Sequence, residues 1–192
     1  MGLHRGFSLI EMLATVAVAA VLAALAAPAF RELVIRNRLV TYSNDVISAV
    51  NFARSEAVRR GLPVTLCPST GGTSCTGSWS EGWIVFVNKN DDNPAVVGED
   101  DIVLRVYPSL ADDYSMHASP VLVDHITYRA DGSANEAGVF SLCHRKELTG
   151  ARAVILTHLR ARVARDTDGD RIPNIDAGNM IDCVNPSLAA RP

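Results

Sequence analysis

The sequence predicts an α+β fold in which a long N-terminal hydrophobic α-helix packs on an antiparallel β-sheet head, and three observations carry that prediction. An apolar run from Phe7 to Phe30 is broken only by Ser8, Glu11 and Thr15. Beyond Arg31 the pattern becomes amphipathic, with Leu39, Tyr42, Val46, Val50, Ala53 and Ala57 three or four positions apart and Asn37, Asp45, Arg54 and Arg59 between them. After Gly61 the chain changes character again, into short β-rich runs separated by turn-forming clusters such as GGTS, NKNDDNP and ADGS.

The first segment has the length and composition of a membrane span. Between Met12 and Phe30 only Thr15 is polar, and a helix over 12–30 rises roughly 28 Å, close to the thickness of a bilayer core. Arg5 precedes the run and Arg31, Glu32 and Arg36 follow it, a weak asymmetry that leaves the short N-terminal side in the cytoplasm and translocates the head. The string AAPAF imitates the cleavage site of an ordinary secretory signal. Glu11 argues against that reading, because a carboxylate inside an apolar helix is costly unless it finds a partner. Gly61 followed by Pro63 is a stop signal, so one helix is expected from about Phe7 to Arg60, its second half laying one face on the head.

Composition excludes several classes. A chain of 192 residues, 48% hydrophobic, holds one ordinary domain with an appendage and a real core, not a disordered or fibrous protein. A net charge of −3 excludes a globally basic nucleic-acid binder, so any such binding must be local. Cys67, Cys75, Cys143 and Cys183 all follow the hydrophobic segment and form no C-x-x-C, which favours two disulfides in an oxidising compartment.

Strands are expected at 64–67, 83–87, 102–107, 126–129, 139–143 and 153–157, giving one largely antiparallel sheet of about six strands against the helix. Trp79 and Trp83 in SWSEGWIVF read as core residues in preference to a binding platform. Cys67 and Cys75 bracket PSTGGTS, a short polar loop that a disulfide would pin, which leaves Cys143 for Cys183 and ties the C-terminal tail to the sheet. Four cysteines allow three connectivities, and spacing alone does not choose among them. His117, His125, His144 and His158 are scattered, and no nucleophile elbow, H-E-x-x-H or phosphate-binding glycine loop is present, so no enzymatic activity is expected.

GFSLIEM, with Gly6 ahead of the aromatic Phe7 and Glu11 at the fifth position beyond, resembles the prepilin peptidase motif of type IV pilins and type II secretion pseudopilins. The stretch RNRLVTYSNDVISAVNFARSEAVRRGLPVTLCPS is similar to the GspH/FimT subfamily, with its N-x-A-R-S-E-A-x-x-R helix end and V-T-L-C-P-S strand; the likeness extends from Gly6 to about Val87. The resemblance implies the type IV pilin fold, cleavage after Gly6 and methylation of Phe7 by prepilin peptidase. It also gives Glu11 a role in assembly, pairing with the N-terminal amine of a neighbouring subunit in a low-dielectric filament core. Pro28 matches a helix-kinking proline of these proteins. The implied partners are other pilins or pseudopilins. The implied location is the inner membrane, crossed once with the head in the periplasm, and then a pilus or pseudopilus. The segments read as a leader at 1–6, an assembly helix at 7–30, its amphipathic continuation at 31–61 and the head at 62–192.

Two features of VILTHLRARVARDTDGDRIPNID carry further expectations. Arg160, Arg162 and Arg165 follow a predicted strand, with Arg152 just upstream; if that strand continues, Arg160 and Arg162 project to one side and form a small cationic patch suited to phosphates. FimT-like proteins have a G-R-x-R motif associated with DNA capture in natural transformation, and this chain reads Leu159-Arg160-Ala161-Arg162, both arginines without the glycine. The resemblance thus makes double-stranded DNA a candidate partner, the competing reading being a solvated basic strand facing nearby aspartates. Those aspartates, Asp166, Asp168, Asp170 and Asp176, alternate as in a Ca2+-binding loop and resemble the turns of thrombospondin-type calcium repeats. They depart from an EF-hand, since Arg171 stands where that loop has glycine and no glutamate closes it. A plain Asp/Gly turn offsetting the arginines is the alternative.

The leading expectation is a minor type IV pilin of the FimT-like kind. Its rivals are a GspH-like minor pseudopilin of a type II secretion system and a membrane-tethered calcium- or ligand-binding protein that never polymerises.

Overall fold

The computed structural model describes residues 8–92, 95–175 and 178–186. One helix, α1 (Leu9–Arg60), runs unbroken through Pro28, which supplies no N–H to the carbonyl one turn earlier. It ends at Gly61, whose φ of +66° is a left-handed conformation that glycine adopts without steric cost, and whose amide donates to the Ala57 carbonyl at 2.9 Å.

The chain divides into two compact units, Met1–Arg38 and Leu39–Pro192. In the first, the side chains of residues 9–34 are all exposed. In the second, the helix buries Leu39, Ser43, Val46, Ala49, Val50, Ala53 and Ala57, a stripe at helical spacing that matches the expected face except that Ser43 replaces Tyr42 and Ala49 is added. Ser43 is tolerated there because its hydroxyl donates to the Val40 carbonyl at 2.8 Å. The small side chains Ala49, Ala53 and Ala57 have no exposed surface and let the sheets approach the helix backbone.

The strands are β1 (Val64–Pro68), β2 (Trp83–Val87), β3 (Ile102–Tyr107), β4 (Tyr114–Ala118), β5 (Ile126–Tyr128), β6 (Gly138–His144), β7 (Glu147–Leu156), β8 (Ala161–Val163), β9 (Asn174–Ile175) and β10 (Gly178–Asn179). They form two four-stranded antiparallel sheets, ordered β3-β2-β1-β5 and β4-β6-β7-β8, and a small β9-β10 ribbon. The single six-stranded sheet expected from the sequence is therefore corrected to two. β5 leaves its neighbour in sequence to pair with β1, and β4, a strand the sequence pattern does not announce, pairs with β6.

Helix α1 touches both sheets. Phe52 lies under the Arg105 guanidinium of β3, 4.8 Å from its ring centroid, while Tyr42 meets Tyr114 of β4 edge to face and accepts the Ala111 amide at 3.1 Å. Trp79 and Trp83 are core residues: the Trp79 indole packs edge-on to Phe140 and donates to the carbonyls of Leu122 and Val123, and Trp83 stacks on Tyr107.

β6 is buried on both of its faces. Part of its cover is the C-terminal stretch: Ile175, Met180 and Cys183 join Val139, Cys143, Ala153, Ile155 and Ala164 in one apolar cluster, with Leu148 and Ile172 at its margin. The Cys143–Cys183 disulfide fastens that cover, and Ser141 donates its hydroxyl to the Cys183 carbonyl. The Cys67–Cys75 disulfide pins the loop outside β1, where Cys67, Ile84, Phe86 and Ala95 make a second cluster. Of the three possible connectivities, the fold adopts these two bonds.

Candidate functional site

Between Leu9 and Phe30 the helix presents one charged side chain, Glu11, in a surface otherwise apolar but for Thr15. Ser8-x-x-Glu11 has the spacing of a helix capping box, and its first half forms: the Glu11 amide donates to the Ser8 hydroxyl at 3.4 Å. The Glu11 side chain is exposed. Gly6 and Phe7, the residues flanking the expected cut, lie outside the described residues. An exposed span from Leu9, 82% accessible, to Phe30, 66% accessible, needs an apolar surrounding, either lipid or other helices.

The arginines of the head do not sit on one continuing strand. β7 ends at Leu156, a tight turn over 157–160 intervenes, and β8 starts at Ala161. Thr157 closes the turn by donating its amide and its hydroxyl to the Arg160 carbonyl, at 2.9 and 3.1 Å, and by accepting the Arg160 amide at 3.2 Å. Leu156 pairs with Ala161 and Ile155 with Arg162, and the Ala164 amide reaches the Ala153 carbonyl. That register sets Arg162 of the outermost strand opposite Ile155, while Arg160 sits in the turn that precedes the strand, so the strand expected to carry both arginines carries only Arg162. Arg160, Arg162 and Arg165 are all exposed. Leu159 has no left-handed φ. The turn therefore does not require the glycine that G-R-x-R would place there.

The turn is held from two directions. His158 and Ala134 exchange backbone and side-chain bonds, the Ala134 amide donating to the His158 carbonyl at 2.8 Å and the His158 Nδ1 lying 3.0 Å from the Ala134 carbonyl. From α1, the Arg54 guanidinium donates to the Leu159 carbonyl. Beside Arg54, burial pushes the Tyr128 hydroxyl up to about 12, partly offset by the Arg54 charge.

Asp166, Asp168 and Asp170 bring carboxylate oxygens within 4.8 Å of one another, all exposed; Asp176 lies outside the described residues. Most of these oxygens are already engaged. Asp166 accepts the amides of Gly169 at 2.7 Å and Arg171 at 2.9 Å, which hold its carboxyl below the usual carboxylate range. Asp170 accepts the Ile172 amide and the Asn179 side chain, and Asp168 has one long contact from the Asp170 amide, 3.5 Å. Arg171 takes a φ of 68° where an EF-hand loop has glycine.

A family profile described as type II transport protein GspH matches residues 43–159. The chain belongs to the GspH family. A second profile, the prokaryotic N-terminal methylation motif, matches residues 1–27 of this GspH-family chain. The structure is similar to the crystal structure of the type IV minor pilin FimU of Pseudomonas aeruginosa in space group P21, with a TM-score of 0.53 and 18% identity over 77% of this chain and 96% of that one. A second FimU crystal form, P65, gives a TM-score of 0.49 and 17% identity over 65% and 91% of the two chains. At such identity the first likeness speaks to the fold, a long N-terminal helix on antiparallel sheets, which is the type IV pilin fold.

The GspH match stops at Leu159, so the three arginines and the aspartate turn fall beyond it. The sequence shows Arg54 as a polar residue between apolar positions and as the arginine of the N-x-A-R-S-E-A-x-x-R helix end, with no site role attached to it. Its bond to Leu159 spans 105 residues, and nothing in local spacing signals it.

Proposed function

We propose that this GspH-family protein is a minor type IV pilin. In this reading prepilin peptidase cuts after Gly6 and methylates Phe7, the apolar half of α1 crosses the inner membrane with the head in the periplasm, and Glu11 directs entry into a pilus. The observation that carries the reading is Glu11 itself, the one carboxylate on a helix surface that from Leu9 to Phe30 is otherwise apolar but for Thr15, and it lies within the matched methylation motif. Such a charge is costly in lipid and is relieved when a neighbour supplies an amine. The same features serve a minor pseudopilin of a type II secretion system, a reading supported by the GspH profile. Deleting the gene separates the two: loss of surface pili with secretion intact supports the pilin, and loss of protein secretion with pili intact supports the pseudopilin.

We further propose that Arg160, Arg162 and Arg165 bind double-stranded DNA through its phosphates. Support comes from their exposure and from their closeness in the chain, Arg160 in the turn, Arg162 on the short edge strand that follows it and Arg165 just beyond. Full-length protein in detergent should bind a mixed-sequence duplex with an affinity that falls with salt. The Arg160→Ala, Arg162→Ala double variant should lose about two units of salt slope, near 0.9 per released phosphate contact. No wild-type binding at low salt would remove DNA from the function and leave assembly alone. To the 166–170 turn we assign a structural role: its aspartates close the turn on its own amides and offset the arginines. Calcium binding would require these oxygens to exchange their present donors for the ion.

A further inference from the structure

We infer that Arg54 is the positioning residue of the basic edge: from the helix it grips the Leu159 carbonyl and so fixes the turn that aims Arg160 and Arg162. The inference rests on the DNA reading for its functional meaning and on geometry for its structural content. The 157–160 turn projects beyond the last paired residue of β7 at the end of an edge strand, and β8 is only Ala161–Val163. A short edge hairpin of that kind has little pairing to define its direction. Three outside anchors define it instead: the Ala134 amide on the His158 carbonyl, the His158 ring at the Ala134 carbonyl, and the Arg54 guanidinium on the Leu159 carbonyl.

Of these anchors, Arg54 alone comes from α1, where its neighbour Ala53 is fully buried, so its backbone belongs to the helix stretch that packs on the head. A charged donor on a carbonyl is stronger than a neutral one. The hairpin loop on the other side is closely fitted to the same side chain: a Cβ on Gly132 would stand 3.2 Å from the Arg54 Nε and 3.1 Å from Val58. Arg54 therefore lies beside Gly132 of the 129–135 loop and bonds the 157–160 turn to the helix. A leucine at position 159 is compatible with this arrangement because the grip is on its carbonyl, not its side chain.

The test uses full-length protein in detergent, with Arg54→Gln, Arg54→Lys and Arg160→Ala variants. Two quantities are read: amide hydrogen exchange at Ala134, Thr157 and Arg160, and affinity for a 30-base-pair duplex across a potassium chloride series. Arg54→Gln should speed exchange at those three amides at least tenfold while β6 amides stay unchanged. It should also weaken DNA binding by about fivefold to tenfold, the scale of one net hydrogen bond, with the salt slope kept. Arg54→Lys should restore part of both, and Arg160→Ala should instead lower the slope by about one. Unchanged exchange in Arg54→Gln overturns the inference. A fall in slope also overturns it, by making Arg54 a phosphate contact itself. If wild-type protein binds no DNA, the DNA reading fails by itself, and the exchange result still decides whether Arg54 positions the turn.

Discussion

Glu56, in the last full turn of α1, is bonded by Arg59 at 2.6 Å and Arg60 at 2.7 Å. The two guanidiniums, Arg59 first, hold its carboxyl down to about 2. A carboxylate depressed in the fold adds stability that is fully present above its unfolded value of about 4.3 and is lost as pH falls through its folded value. Glu56→Gln should therefore cost about 0.5–1 kcal/mol at pH 7, the scale of an exposed pair. The gap from wild type should close between pH of about 4.3 and about 2, as read by urea denaturation at a series of pH values. A constant gap would mean that Glu56 acts through packing. Its cause is local, since spacings of three and four on a helix bring side chains together. The Arg54 bond to Leu159 has no such local cause and was not legible in the sequence, because its partner is 105 residues away and is a backbone atom. Tyr42 and Ser43 show the same limit at smaller scale: periodicity found the stripe but not which of two neighbours would be fully covered.

The elements divide by how local their causes are. α1 was readable from its change of pattern and its glycine stop, and most strands from their β-branched runs. β4, YSMHA, has no β-branched residue and forms because β6 offers it a partner. Two sheets replace one because strand order depends on pairings between distant segments, which runs of residues do not encode. The tail's part in the core was also hidden, since Ile172, Ile175 and Met180 are scattered among polar residues without a period. Its anchoring has a measurable consequence. The Cys143–Cys183 bond spans 40 residues and the Cys67–Cys75 bond 8. Loop entropy then assigns about 4 kcal/mol to the first and about 2.5 kcal/mol to the second. Replacing each pair with alanines and measuring chemical denaturation should rank them in that order, and equal costs would contradict the tail's role as a core cover. The self-closed aspartate turn predicts a melting temperature in millimolar calcium within about 1 °C of that in chelator, against the shift of several degrees that a bound ion gives. Such a rise would make the turn a calcium site.

At the scale of the whole molecule, the second unit carries its own core and disulfides, while the described part of the first is helix whose residues from Leu9 to Val34 are all exposed. A chain so divided is completed by what surrounds its helix, and Glu11 is the one charge that distinguishes lipid from a neighbouring subunit as that surrounding. The deciding measurement is the amount of the protein recovered in sheared filaments relative to the membrane fraction, for wild type and for Glu11→Gln, in a host that assembles the filament. The account predicts wild type in both fractions and the variant in the membrane alone. Equal recovery of wild type and variant in filaments would contradict it.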